Sequence, residues 1–128
     1  MTITVTPIYA ILLTLLFLAL SYRVITERRS NQFAYGNNES KRIEAKIRAQ
    51  ANWAEYTPIA LLLLLMAELR GISPLWLHIT GITLLIARAL HGYGMSVNPR
   101  DFRYRVYGMW LTVAAISLGL VTNLVALV

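Results

Sequence analysis

Long apolar runs divide this chain of 128 residues into four segments. A transmembrane helix needs about 20 predominantly apolar residues. The four predicted spans are Ile3 to Val24, Ala49 to Leu69, Ile72 to His91 and Val106 to Val128. Gly71 and Pro74 are helix stop and restart signals, so the second and third spans are predicted to form an antiparallel hairpin. The pattern therefore predicts an all-α membrane protein, a single four-helix bundle that leaves little chain for another domain.

The composition agrees with a membrane protein and limits its chemistry. Hydrophobic residues make up 57% of the chain and charged residues 14%, against about 25% charged in ordinary soluble domains. The first span has no basic segment before it and no small-residue cleavage site, so we interpret it as an anchor rather than a removable signal. The chain contains no cysteine. A thiol that takes part in its chemistry therefore has to arrive with a substrate.

The net charge of +6 reflects basic residues in or beside the first and third loops: Arg23, Arg28, Arg29, Lys41, Arg42, Lys46, Arg48, Arg100, Arg103 and Arg105. The positive-inside rule puts both loops in the cytoplasm and both termini outside, across the inner membrane if the protein is bacterial. Nucleic-acid binding calls for base-stacking aromatics among the cations. The first loop offers only Phe33 and Tyr35, so nucleic acid is not an expected partner.

A polar stripe enters the second span. Arg48, Asn52 and Glu55 follow one another at helical spacing and fall within one sector of roughly 60°. Gln50 points about 200° away from Arg48, which indicates a site shared between helix bundles or subunits. Pro58 lacks a backbone N–H and is expected to loosen the helix beside Glu55. Charged side chains at membrane depth normally face a protein interior or a watery cavity, so this stripe is the leading candidate site.

The tract R-A-Q-A-N-W-A-E-Y-T-P, residues 48–58, resembles the MAPEG family, membrane-associated proteins in eicosanoid and glutathione metabolism, in its short bacterial form. Weaker matches are V-I-T-E-R-R before the first loop, Gly92-Tyr93, and R-V-Y-G at residues 105–108. The resemblance implies a homotrimer that binds glutathione in a cytoplasm-facing cleft between subunits, while a lipophilic co-substrate enters from the bilayer. The family includes glutathione transferases, peroxidases, leukotriene-forming and prostaglandin-forming synthases, and a non-catalytic lipid-binding branch.

The resemblance also implies roles for individual residues. Arg48 is expected to grip a glutathione carboxylate through paired donors, and Glu55 to pair with the ammonium or to hold Arg48. Asn52 can donate or accept. Arg28 or Arg29 and Gln50 are expected to reach across from the adjacent subunit. The full set of expected glutathione contacts is Arg28, Arg29, Arg48, Gln50, Asn52, Glu55, Tyr56 and Tyr93.

Catalysis needs the thiolate, because the thiol has a pKa near 8.5 and is a poor nucleophile. Arg105 is the expected thiolate stabiliser, with Arg103 and Arg100 as alternatives. The chain has Val106 where the prostaglandin-forming branch has serine, and Ala89 where the leukotriene-forming branch has tyrosine. A generic glutathione transferase or peroxidase is therefore the expected enzyme.

Several alternatives remain open at this stage. The stripe could be a structural polar network, and the protein could bind a ligand or act as a scaffold without catalysis. A transporter is disfavoured because the first apolar run, Thr4 to Ser21, carries no charged residue. Arg88 and His91 are expected to snorkel or to pair with Glu55, since no second histidine or carboxylate has metal-ligand spacing. No metal site is predicted.

Overall fold

The computed structural model describes residues 2–127 and contains four α-helices: α1 (Val5–Ser30), α2 (Lys41–Leu69), α3 (Pro74–Ser96) and α4 (Phe102–Val125). The predicted all-α fold is confirmed. Every helix extends several residues beyond its predicted span, and always at the same end of the bundle. We call this end, which carries connections 31–40 and 97–101, the loop end. The opposite end, which carries the α2–α3 connection, is the turn end.

Local capping explains where the helices begin and end. The Ser40 side chain accepts a hydrogen bond from the backbone N–H of Ile43 at 3.5 Å, which starts α2 well before its apolar run. Asp101 caps the start of α4 in the same way. Gly71 has a φ of 78° and follows α2, the left-handed position that glycine favours after a helix. Pro74 then begins α3, where its missing N–H costs no helical hydrogen bond.

The start of α1 is capped by a side chain from another helix. The Glu68 carboxylate, near the end of α2, accepts backbone N–H groups of Thr4 at 2.6 Å, Val5 at 2.7 Å and Thr6 at 2.7 Å. The first N–H groups of a helix have no partner within the helix, and its N-terminus attracts negative charge. Glu68 therefore satisfies these groups and ties α1 to α2 at the turn end.

In cross-section, the four helices form a rhombus rather than a square. Helices α2 and α3 each contact the other three, whereas α1 and α4 lie on opposite sides and do not contact each other. Fully buried Leu13, Leu64 and Leu84 form the core where α1, α2 and α3 meet. Helix α4 packs very closely on α3: a Cβ added at Gly94 would lie 2.6 Å from the backbone nitrogen of Arg105. Small residues of this kind let helix backbones approach in membranes.

Helices α1, α3 and α4 are each long and apolar enough to cross a membrane. Helix α2 falls outside that group because its first half carries the polar stripe of Arg48, Asn52 and Glu55. It nevertheless packs along all three other helices and continues unbroken through Pro58. The exact boundaries of the four spans stay a prediction.

Candidate functional site

The side chains of Arg48, Asn52 and Glu55 lie along one side of α2. Arg48 Nη1 is 3.8 Å from Glu55 Oε1, and both side chains are 51% exposed. An ion pair that is this open contributes no more than about 1 kcal/mol to stability. The fold therefore does not depend on this pair, and both charged groups are accessible to a ligand.

A buried arginine fixes the orientation of Asn52. Arg88 on α3 is fully buried, and its Nη2 donates to Asn52 Oδ1 at 2.7 Å. Its Nη1 donates to Thr112 Oγ1 on α4 at 3.1 Å. Because a guanidinium has only donors, the amide oxygen of Asn52 must face Arg88. The Nδ2 group of Asn52 makes no hydrogen bond with residues 2–127, so it remains available to donate.

The expectation that Arg88 snorkels or pairs with Glu55 is wrong. Arg88 makes no ion pair with a carboxylate of the described chain, and its remaining close polar neighbour is His91 Nδ1, 3.4 Å from Nη2. The cause is the tight packing of α4 on α3. A Cβ at Gly108 would lie 2.5 Å from the backbone nitrogen of His91. This close approach puts Thr112 beside Arg88 and leaves the guanidinium enclosed by three helices.

Gln50 lies on a different side of α2 from the stripe, as predicted. Its Nε2 donates to Ser21 Oγ on α1 at 2.8 Å, so its amide is already engaged within the chain. Its carbonyl oxygen remains free to accept a further hydrogen bond. Tyr56 is half-buried next to Glu55.

Arg28 and Arg29 lie at the loop end of α1, away from the stripe on α2. Arg28 Nη1 donates to the Ala34 carbonyl oxygen at 2.7 Å, and its guanidinium lies 5.7 Å from the centre of the Phe33 ring. Arg29 is exposed. The first loop is held nearby by Glu27, which pairs with Lys46 and, at 3.3 Å, with Arg42. These contacts anchor the loop but leave Arg29 open to a partner.

Tyr93 on α3 and Arg105 on α4 both lie at the loop end, where each contacts the facing helix. The Tyr93 ring packs edge-on against Tyr104, with the ring centres 5.1 Å apart. Arg105 is exposed, and within residues 2–127 its side chain has one hydrogen-bond partner, the Met95 sulfur, 3.9 Å from Nη1. The guanidinium of Arg105 is therefore not occupied by a carboxylate of the described chain.

The two alternative arginines differ in their engagement. Arg103 donates to both carboxylate oxygens of Asp101 at 3.2 Å. These hydrogen bonds, with one from the Arg103 backbone, hold the pKa of Asp101 below its usual value. Arg100 is exposed in the connection before α4. Arg103 thus has a carboxylate partner whereas Arg105 has none within residues 2–127, so Arg105 remains the first candidate to meet a ligand.

The site residues form three groups in one chain. The stripe on α2 contacts Arg88, the pair Tyr93 and Arg105 lies on α3 and α4, and Arg28 with Arg29 lies at the end of α1. Within the described part of the chain, no hydrogen bond or ion pair joins one group to another. Nor do the histidine, aspartate and glutamate residues between positions 2 and 127 form a cluster that could hold a metal ion.

The sequence did not indicate that Arg88 contacts Asn52 or that Thr112 contacts Arg88. Arg88 was expected to snorkel or to pair with Glu55, but its partners come from α2 and α4. The sequence offered one general indication, because an ionisable residue inside a membrane span normally pairs with another polar group or has a functional role. Thr112 carried no signal, since threonine is ordinary in such helices.

The sequence of this chain is similar to known proteins. Residues 6–125 match the model of a family described as the MAPEG family. The chain belongs to the MAPEG family. It is also similar to the "Inner membrane protein YecN" of Escherichia coli strain K12 and of Escherichia coli O6:H1 strain CFT073. Each is 38% identical over 120 residues, which covers 94% of this chain and 90% of the relative. The resemblance seen in residues 48–58 is confirmed, and the chain is an integral membrane protein.

Proposed function

We propose that this protein is a glutathione-dependent membrane enzyme, which transfers the glutathione thiolate to a lipophilic electrophile or reduces a lipid hydroperoxide. The observation that carries the proposal is the stripe on α2. The accessible Arg48–Glu55 pair lies beside an asparagine whose free amide group is a donor. Glutathione is a peptide with two carboxylates and an ammonium, and these groups match that set of partners.

Each residue has a chemical role in this proposal. Arg48 and the Asn52 amide bind a carboxylate of glutathione, and Glu55 binds its ammonium. Tyr93 lines the cleft with Tyr56. Arg105 stabilises the thiolate, because a permanent positive charge beside the sulfur lowers the thiol pKa.

In conjugation, the thiolate attacks the electrophilic carbon, an S–C bond forms and a leaving group such as chloride departs with the displaced electron pair. In peroxide reduction, the thiolate attacks one peroxide oxygen, an S–O bond forms, the O–O bond breaks, and the released alkoxide takes a proton to give an alcohol. A second glutathione then attacks the sulfur of the glutathione sulfenic acid, which gives glutathione disulfide and water.

Within residues 2–127 no hydrogen bond or ion pair joins the three groups of site residues, and this supports a site completed by a second copy. We place Arg28, Arg29 and the free carbonyl oxygen of Gln50 in the cleft from the adjacent subunit of a homotrimer. The loop end then faces the cytoplasm, from which glutathione enters, and the lipophilic substrate reaches the cleft from the bilayer. The basic residues of the loop end favour this orientation.

The decisive experiment combines calorimetry with turnover. Glutathione is titrated into the purified protein, and conjugation of 1-chloro-2,4-dinitrobenzene and reduction of cumene hydroperoxide are then measured. Arg105→Ala should keep glutathione binding and lose about a hundred-fold to a thousand-fold in rate, as expected for a preorganised stabiliser of developing charge. Its matched control is Arg103→Ala, which removes the same charge two residues earlier in the first turn of α4.

Thiolate formation gives a direct second reading by ultraviolet absorbance. The wild type should show bound thiolate near neutral pH, and Arg105→Ala should need a more alkaline solution. If only Arg103→Ala loses turnover, Arg103 is the thiolate stabiliser instead. Binding without thiolate or turnover would identify a non-catalytic glutathione-binding protein, and absence of binding would reject the proposed substrate.

A further inference from the structure

An apolar groove of about 360 Å³ opens at the turn end, between the start of α3 and the end of α4. It is far from the glutathione candidates, which cluster toward the loop end. Its walls are Ile72, Trp76, Leu118, Val121, Thr122 and Val125. Trp76 is 50% exposed and Val121 is 54% exposed, so the groove is open along its length to the surroundings of the helices.

A cation lies at the mouth of this groove. Arg70 Nη1 donates to the carbonyl oxygen of Ala126 at 3.2 Å. Arg70 precedes the wall residue Ile72 by two positions, and Ala126 directly follows the wall residue Val125. The guanidinium therefore links the end of α2 to the end of α4, next in sequence to residues that line the groove.

No carboxylate between residues 2 and 127 neutralises Arg70. The nearest acidic residue in sequence, Glu68, is turned toward the N-terminus of α1 and accepts its backbone N–H groups. The one hydrogen bond to Ala126 uses one of the five donors of the guanidinium. The remaining donors form a planar fork that suits a phosphate.

We propose that this groove binds an anionic phospholipid, with one acyl chain between α3 and α4 and the phosphate on Arg70. An apolar groove with a cation at its end is complementary to an amphiphile of that charge. Trp76 lies in the first turn of α3, near the turn end, and tryptophan is typical of the membrane interface, where headgroups lie. A guanidinium pairs with a phosphate group through paired donors wherever the two meet. The proposal is independent of glutathione.

Native mass spectrometry of the detergent-purified protein tests the proposal by counting bound lipids. Phosphatidylglycerol and phosphatidylcholine with identical acyl chains are titrated separately. The wild type should prefer phosphatidylglycerol, and Arg70→Gln should lower this preference about tenfold, as expected for loss of a hydrogen bond to a charged group. Lys41→Gln removes an exposed cation from the loop end and is the matched control. Val121→Trp should block binding of both lipids, while Val113→Trp elsewhere on α4 should not.

The outcomes are distinct. An unchanged headgroup preference in Arg70→Gln, or an equal loss in Lys41→Gln, overturns the proposal. If Val121→Trp changes the mass of the oligomer but not the lipid count, a second copy of the chain covers the groove and the proposal is wrong. Wild-type preference together with loss in Val121→Trp supports it even if Arg70→Gln fails to fold. Circular dichroism of each variant shows whether it has folded.

Discussion

Replacing Asn52 by aspartate separates the structural role of this residue from its proposed role in binding. An aspartate oxygen in the position of Oδ1 can accept the Arg88 hydrogen bond that now spans 2.7 Å. The ion pair gained with Arg88 offsets the cost of burying a second charge. We therefore expect the free energy of unfolding to change by no more than about 1 kcal/mol, a small fraction of ordinary protein stability.

The same substitution should damage glutathione binding severely. It converts the free Nδ2 donor into a carboxylate oxygen and removes a hydrogen bond to a charged ligand group, worth about 1.5 to 3 kcal/mol. Repulsion between two carboxylates adds up to about 4 kcal/mol at 4 Å and an effective dielectric of 20, although Arg88 offsets part of it. Since about 1.4 kcal/mol is a factor of ten, affinity should fall at least tenfold.

The assay is calorimetric titration of glutathione, with thermal unfolding measured on the same samples. Thr112→Val is the control, because it removes the other acceptor of Arg88 and leaves the Asn52 amide unchanged. It should lower stability and keep most of the affinity. Wild-type affinity in a folded Asn52→Asp variant would refute Asn52 as a donor to glutathione. Equal losses of affinity in both variants would show that binding responds only to disruption of the bundle.

Three further predictions test the site, the orientation and the fold. Glu55→Gln should weaken glutathione binding by about 1.5 to 3 kcal/mol while the oligomer survives, because the ammonium loses a charged partner; unchanged calorimetric affinity would remove Glu55 from the site. Single cysteines are placed at Tyr35, which is 91% exposed, and at Ser73. They should be labelled from opposite sides of the membrane, with position 35 on the cytoplasmic side. The reverse result would contradict the proposed entry of glutathione from the cytoplasm. Glu68→Gln should lower stability by about 1 to 2 kcal/mol, because an amide oxygen cannot accept from all the N–H groups at the start of α1. Exposed Glu39→Gln is its control in thermal unfolding, and equal stability of the two variants would contradict a capping role for Glu68.

Hydropathy predicted four helices, but it could not predict their lengths. Hydropathy detects the apolar segment that can lie within the lipid, whereas capping residues determine where the helix begins and ends. Helix α2 begins at Lys41 because Ser40 caps it, and α1 continues to Ser30 through polar residues that extend beyond the apolar run. The turn between α2 and α3 was predictable because Gly71 and Pro74 act locally.

The stripe on α2 was predictable because it depends on periodicity within one helix. Its partners were not, because they depend on how helices approach one another. Gln50 was correctly predicted to point away from the stripe, yet nothing in its spacing indicates Ser21 on α1. The position of Glu68 near the end of the second span indicates no partner, and only the packing of α1 shows what it binds. The expected roles of these residues toward glutathione stay predictions.

The glycine on α4 links helix packing to the chemistry of the stripe. Gly108 lets α4 approach α3 closely enough for Thr112 to hold one side of the Arg88 guanidinium, and the other side then meets Asn52. Arg88 is buried with only neutral partners among residues 2–127, so its charge is not cancelled locally. An uncancelled charge acts strongly where the dielectric is low. The Asn52 amide therefore lies in a positive potential, where a carboxylate gains more than an ammonium. In the proposed complex, this polarity sets the direction in which glutathione lies along α2, with a carboxylate toward Asn52 and its ammonium toward Glu55.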